Sequence, residues 1–404
     1  VVGVEHLDRP PTRILGQDLG HPVPVDVEQL DLAEERLVLP LDLAGHRVDH
    51  LPAVQDDLLP VVTVDIPATH HAGLIVVDAG ELLVEGHPID IVNQVVAKKN
   101  DLEFEPGYLK LEREGELAKR EEALWEILSS CEVCARGCGA NRLKGETGVC
   151  STRARIKVYS AGPHYGEERE LVGRGGSGTI FFSNCNLLCS FCLNWEINHR
   201  GDGERTSHRE LAEMMLGLQR RGCHNINLVT PSHVVPQIVK AVRIAGSMGL
   251  RLPLVYNTGG YDNLEVIKML DGIVDIYLPD FKYQDGELAA KYSSDASDYP
   301  EVAAAVIREM HRQVGDLVTD SRSIATRGLI IRHLVMPNNI GGTDRLVRWI
   351  ADALGKGTYL NLMAQYRPEH KAFDDPTIAR RLTREEWKQA VGWAIEAGLT
   401  NVRT

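Results

Sequence analysis

Between residues 178 and 397 the sequence alternates short apolar runs of strand type with longer stretches of helical periodicity, six times in succession. The apolar runs are 178–183, 225–230, 252–257, 274–278, 328–335 and 359–364. The stretches after them are 207–221, 234–248, 264–270, a helical region reaching 314, 345–354 and 384–397. In these, apolar residues recur three and four positions apart among charged ones, the pattern of a helix with one buried face. Strands separated by whole helices cannot pair through hairpins, so the pattern predicts a parallel sheet with right-handed crossovers. The predicted fold class is α/β, closing as an open or partial (β/α)6 barrel. Chemistry in such a sheet gathers at the C-terminal ends of the strands, where the connecting loops meet.

One of those strand ends carries the most informative residues of the chain. The run Phe181-Phe-Ser-Asn-Cys-Asn-Leu-Leu-Cys-Ser-Phe-Cys-Leu-Asn194 places Cys185, Cys189 and Cys192 at C-x3-C-x2-C spacing directly after the first predicted strand. Three thiolates on one loop can hold three corners of a cubane [4Fe–4S] cluster and leave the fourth iron open, whereas closed electron-transfer clusters take four Cys. A zinc site with His199 as a fourth ligand, or buried thiols without a metal, are the alternatives. Structural zinc usually wants paired Cys halves, and the strand–loop–helix context favours the cluster.

A second group lies upstream. Cys131, Cys134, Cys138 and Cys150 are spaced C-x2-C-x3-C-x11-C among several glycines. Four thiolates suit a closed tetrahedral site, and thiolate softness and number do not separate zinc from a second iron–sulfur cluster. An amphipathic helix is predicted ahead of them, over 109–129. The chain has eight Cys, seven of them in these two groups, which reads as metal ligation in a reducing compartment rather than as a disulfide framework. With no run of eighteen apolar residues and no signal-peptide pattern, a cytoplasmic protein without a membrane partner is expected.

The net charge of −13 misrepresents this body. Residues 1–97 hold 17 acidic residues and four Arg with no Lys, which alone gives −13; the remainder balances 40 acidic against 40 basic. A balanced body without a basic, aromatic-interleaved surface gives no reason to expect a nucleic-acid partner. The first 97 residues also lack Ser, Cys, Met and every aromatic, and they hold nine of the 19 Pro. A core without aromatics is hard to pack. We therefore expect residues 1–97 to be a non-native or disordered segment, translated from a misassigned upstream start, rather than a domain. The expected organisation continues with a helix plus four-Cys subdomain over 98–165 and the barrel over 166–404.

The other strand ends are polar: Thr230-Pro-Ser-His233, Asn257-Thr-Gly-Gly260, Pro279-Asp-Phe-Lys282, Arg332-His-Leu-Val-Met-Pro337 and Asn361-Leu-Met-Ala-Gln-Tyr366. In an extended strand Asp280 and Lys282 point to one side of Phe281, where they could grip a zwitterionic amino-acid group or form a mere surface ion pair.

Taken with the segment from Ser177 to Asn198 and Gly166-Glu-Glu168 ahead of it, the chain from about residue 100 onward resembles radical S-adenosylmethionine (SAM) proteins, in the branch of uncharacterised homologues of pyruvate formate-lyase activating enzyme. The resemblance implies an oxidoreductase in which a [4Fe–4S] cluster on Cys185, Cys189 and Cys192 binds SAM and reductively cleaves it to a 5′-deoxyadenosyl radical for hydrogen abstraction. It matches Asp280 and Lys282 to the family's Asp-x-Lys strand end, near the SAM carboxylate and a bound cation. It matches Arg332 to the arginine opening an Arg-x-x-Val segment that reaches SAM, and Asn257 to a ribose-contacting position. The family's Gly-Gly-Glu segment, which holds the SAM amino group, is replaced here by Val229-Thr-Pro-Ser-His233. Ser232 is the substitute acceptor, while His233 either touches SAM or substrate or caps the next helix. No catalytic side chain beyond the cluster is assigned. The implied partners are a flavodoxin or ferredoxin reductant and a glycyl-radical protein as target. Modification of a small molecule, a peptide or RNA is the alternative, and a non-catalytic iron–sulfur or zinc protein is the alternative from another class.

Overall fold

The structure, a computed structural model, describes residues 104–404 together with three short strands, Val61–Val62, Ile75–Val77 and Leu82–Val84. The expectation for residues 1–97 lies otherwise outside the described residues. The chain divides into two compact units, one of Val1–Val62 with Val76–Leu82 and one of Thr63–Ile75 with Leu83–Thr404. The second unit contains all eight Cys.

Its centre is a ten-stranded sheet. The strands are β1 (Ile156–His164), β2 (Ser177–Phe182), β3 (Glu204–Thr206), β4 (Ile226–Val229), β5 (Leu254–Thr258), β6 (Ile276–Pro279), β7 (Val318–Thr319), β8 (Ala325–Leu334), β9 (Tyr359–Met363) and β10 (Val402–Arg403). From β2 the parallel neighbours run in sequence order, β2-β4-β5-β6-β8-β9-β10. The antiparallel pair β1 and β3 extends the β2 edge, and β7 pairs with β8. A parallel sheet wound in one direction by right-handed crossovers keeps its helices on a single face. It curls around the other face, and the edges at β3 and β10 stay unjoined, so the barrel is partial.

The predicted segments and the observed elements agree closely. The crossover helices are His208–Arg220, Val235–Ser247, Leu264–Met269, Tyr299–Val314, Thr343–Ala353 and Arg384–Glu396. Two begin at capping boxes, Ser207 with Glu210 and Thr383 with Glu386, in which side chain and backbone satisfy each other's free N–H groups. One expectation needs correction. The single helix over 109–129 is two helices, Gly107–Arg113 and Glu116–Glu126, because Gly115 between them has φ of 70°. That left-handed conformation ends a helix and comes cheaply only to glycine.

Strand periodicity sorts the side chains. Ile180, Phe182, Ile226, Leu228, Leu254, Tyr256, Tyr277, Leu329, Ile331 and Leu360 join the main core under the helices. The alternate positions face inward and are matched across the sheet by register. Thr179 lies beside Asn227 and Asn227 beside Val255, while Val229 lies beside Asn257. Asp280 bridges Arg332, and Arg332 is in register with Asn361. Asp280, Arg332 and Asn361 thus form one inward-facing polar row near the C-terminal strand ends.

Below that row the barrel is filled by its own chain. The connection from β1 to β2 includes a short helix, Arg169–Val172, whose Leu171 is fully buried against Val255, Ile276, Leu278, Ala325, Ile330 and Tyr359. Burying a leucine side chain is worth about 1.5–3 kcal/mol. The same connection carries Glu167, Glu168 and Glu170 into the interior, so the plug is apolar underneath and acidic on top.

Candidate functional site

The three-Cys loop leaves the end of β2 and turns back under Arg136, which lies between Cys134 and Cys138. Arg136 donates from Nε to the Asn186 carbonyl (2.9 Å) and from its guanidinium to the Ser293 carbonyl (3.0 Å). Each sulfur of the loop meets a donor of its own. Leu187 N–H points at Cys185 Sγ (3.4 Å), Ser293 Oγ donates to Cys189 Sγ (3.1 Å), and Asn198 Nδ2 donates to Cys192 Sγ (3.2 Å). Burial pushes the Cys185 thiol up to about 12 and the Cys192 thiol up to about 11, with the charge of Cys189 adding to both. Thiols that burial keeps neutral, yet that receive donors, form a soft donor set matched to a cationic group that would take the protons' place. His199 is tied up elsewhere, its Nε2 bonded to the Cys189 carbonyl (3.1 Å).

Opposite the loop stands the strand-end constellation. Asp280 accepts from Lys282 Nζ (2.6 Å) and from Arg332 Nε (2.8 Å). Arg332 also reaches Asn257 Oδ1 (2.6 Å) and Glu167 (3.2 Å). Burial alone would push the Asp280 carboxyl up, but the charges of Arg332 and Lys282 outweigh it and hold it below the usual carboxylate range. Lys282 is likewise pushed down by burial and lifted overall by Asp280 and Cys189. It feels Cys189, and Cys192 feels it, so the ammonium stands between the carboxylate and the thiols. Gly259 packs between Lys282 and Leu187 of the three-Cys loop, where a Cβ would lie 2.7 Å from Leu187 and 3.7 Å from the Lys282 side chain.

Four of the five predicted SAM-contacting residues, Asn257, Asp280, Lys282 and Arg332, are therefore brought together by direct hydrogen bonds. Ser232 is not among them. Its hydroxyl pairs with Thr258 (2.8 Å), which donates to Asp262 (2.6 Å), on the side of β5 that faces the helices. His233 does not cap a helix. The helix after it, Val235–Ser247, has Val234 at its N-cap position without a side-chain cap, and the His233 ring is buried with Nε2 donating to the Ser183 carbonyl (3.0 Å). Burial drives that imidazole down to about 4, so it is neutral at ordinary pH.

His233 instead faces the four-Cys group. One small cavity is lined by Cys131, Cys134, Cys138 and Cys150, with Arg136, Arg142 and His233. Arg142 is fully buried, with one guanidinium nitrogen 3.7 Å from Cys131 Sγ and 2.8 Å from the His233 carbonyl. The thiols are close enough for the charges of Cys131 and Cys150 to lift Cys134 and Cys138 further, beyond the larger effect of burial. Among the described residues no three Cys, His, Asp or Glu side chains close into metal-ligating geometry by themselves, and no helix is long and apolar enough to cross a membrane.

The acidic top of the plug is what sequence reasoning missed. Glu168 accepts from Asn361 Nδ2 (2.7 Å), Glu170 accepts from the Tyr359 hydroxyl (2.9 Å), and Glu167 pairs with Arg332. The paired acids Gly166-Glu-Glu168 are visible in the sequence, but nothing local shows that a connection between strands turns inward.

No family model matches the chain. The uncharacterized protein MJ0674 of Methanocaldococcus jannaschii is 33% identical over 310 residues, covering 74% of this chain and 82% of that one. Solved structures share less. Methylornithine synthase (PylB) is 16% identical over 71% of this chain and 80% of its own, with a TM-score of 0.36. The radical S-adenosylmethionine methyltransferase TsrM of Kitasatospora setae is 17% identical, with a TM-score of 0.35, and this chain spans 36% of it and 47% of itself. TYW1 with a lysine–pyruvate adduct bound is 11% identical over 57% of this chain and 75% of its own, with a TM-score of 0.36.

Proposed function

We propose that this chain, which belongs to the family of the uncharacterized Methanocaldococcus jannaschii protein MJ0674, is a radical SAM enzyme. The observation that carries the reading is the trio of sulfurs on Cys185, Cys189 and Cys192, each met by its own donor and set beside the Asp280–Lys282–Arg332 network. Three donor-solvated sulfurs suit a [4Fe–4S] cluster with one iron free of protein ligands. When bound, such a cluster supplies the electron that cleaves SAM to methionine and a 5′-deoxyadenosyl radical.

The residues of this chain have the tasks of binding, orienting and excluding water. Lys282 offers an ammonium for a carboxylate near the thiols, held in place by Asp280. Arg332 fixes Asn257 for a ribose hydroxyl by occupying one lone pair of its amide oxygen. Phe191, Leu187 and Leu188 wall the loop against the core and keep the dielectric low, which lets fixed dipoles act strongly. Because Ser232 is engaged with Thr258, the SAM amino group needs another acceptor, such as a backbone carbonyl of the Thr230-Pro231 turn. Cys131, Cys134, Cys138 and Cys150 would hold zinc or a second iron–sulfur cluster around their shared cavity, and a flavodoxin or ferredoxin would supply the reductant.

The target in this reading is a glycine of a partner protein, with a small molecule, a peptide or RNA as the competing class. Anaerobic reconstitution followed by dithionite and SAM tests the core of the proposal. The expected product is 5′-deoxyadenosine, lost in Cys189→Ala. Product formation that survives this substitution sinks the assignment, and complete absence of product favours a non-catalytic metal protein. A glycine-centred EPR doublet on a partner protein separates the two target classes.

A further inference from the structure

The plug between β1 and β2 brings three glutamates into the barrel interior beside Asp280, and the four carboxylates are not paired alike. Asp280 has both Lys282 and Arg332. Glu167 has Arg332. Glu170 has Arg169 and Arg403 at 3.6 and 3.7 Å. Glu168 alone of the four has no cation at ion-pair distance among the described residues, and its contact is with the neutral amide of Asn361. It is 7% exposed, and its second oxygen, Oε2, is buried without a hydrogen-bond partner. Leaving a buried carboxylate oxygen without a donor is strongly destabilising, and a fold does not retain it without return. The row above it (Asp280, Arg332, Asn361) faces the same interior, so Oε2 lies beneath the strand ends where the proposed SAM contacts meet.

We propose that Glu168 is the floor of the substrate site and takes a protonated amine, a small organic cation whose N–H groups donate to Oε2. Asn361 positions the carboxylate by occupying Oε1, while Arg332, hydrogen-bonded to Asp280, Glu167 and Asn257, attracts Glu168 at longer range without bonding to it. An ammonium group both donates to Oε2 and offsets the carboxylate's charge, whereas a neutral amide can only donate. That the amine belongs to a substrate rests on the radical SAM reading; the cation site itself does not.

The test needs neither cluster nor SAM, so its failure is distinguishable from failure of the 5′-deoxyadenosine assay. The full-length protein is melted with propylammonium chloride, with propionamide as a neutral analogue of similar size, and with potassium chloride at equal ionic strength. Propylammonium at ten times its Kd is expected to raise Tm by about 2–4 °C relative to potassium chloride, and propionamide to leave Tm unchanged. Glu168→Gln is expected to have a higher Tm than the wild type without any ligand, because it removes a buried carboxylate oxygen that has no donor, and to lose at least tenfold in propylammonium affinity. A purely structural Glu168 would give the opposite stability change. The proposal is overturned if potassium or propionamide matches propylammonium, if no shift occurs, if Glu168→Gln binds as before, or if Glu168→Gln is destabilised or fails to fold.

Discussion

Arg136 Nε lies 2.9 Å from the carbonyl oxygen of Asn186, so a residue inside the four-Cys group clamps the loop that carries the three-Cys group. Asn186 itself lies beside a thiol of that loop. Its Oδ1 is 3.9 Å from Cys185 Sγ, and its Nδ2 donates to the Tyr261 carbonyl (2.6 Å). The same guanidinium reaches the carbonyl of Ser293, whose hydroxyl donates to Cys189, and it stacks over the Tyr261 ring. Replacing Arg136 with Ala should cost about 2 kcal/mol, the scale of hydrogen bonds from a charged donor. It should also lower iron retention by the three-Cys loop even though no ligand is changed. Chemical denaturation and iron quantification read the two effects, and unchanged iron retention would show that the clamp does not organise the loop.

The two Cys groups should load separately. Cys138 is the exposed member of its group, so Cys138→Ser should empty the upstream site while the three-Cys iron remains. Cys189→Ala should do the reverse. Metal analysis of the two variants, with zinc counted beside iron, assigns each metal to its site.

Leu171 should behave as a core residue although it lies in a connection. Leu171→Ala removes it from the packing inside the barrel and should cost about 2–5 kcal/mol, in the range of buried leucine truncations. A cost below about 1 kcal/mol, outside that range, would mean that the plug is not anchored there.

Asp275 predicts a pH dependence. Burial pushes its carboxyl up to about 7, against the pull of the Gly107 and Leu254 N–H groups that bond its two oxygens. The folded value lies above the unfolded one, so the group favours folding most strongly below about pH 4. That contribution is lost as pH rises toward 7, by a few kcal/mol in total. Asp275→Asn, which stays uncharged, should flatten the stability profile between about pH 4 and 8, so that its stability relative to the wild type rises with pH. Denaturation midpoints across that range would show it, and parallel profiles for the two proteins would refute it.

Arg332→Lys should weaken SAM binding by at least tenfold while sparing the thiol site. An ammonium is a single point and cannot bridge Asp280, Asn257 and Glu167 at once. Equilibrium binding of SAM to the reconstituted protein is the measurement.

Much of the architecture was legible in the chain because its determinants are local. Apolar periodicity and capping residues mark the crossover helices, and the order of strands and helices leaves a singly wound parallel sheet as the simplest closure. The three-Cys spacing and the Asp280-Phe281-Lys282 alternation are local as well, so the loop and the ion pair can be named from a few residues each. Gly115 is equally local, yet a lone glycine among helical residues does not by itself announce the left-handed break that it makes.

The rest of the site depends on partners far apart in sequence. The donor for Cys189 comes from Ser293, 104 positions away, and Glu168 meets Asn361 at a separation of 193. Ser232 turns toward Thr258 rather than the interior because a side chain's face follows from the register of its neighbours, which no single segment contains. The inward course of the connection bearing Leu171 and the three glutamates is of the same kind. A loop's path is set by the cavity available to bury its apolar residues, and that cavity exists only once all the strands have closed around it.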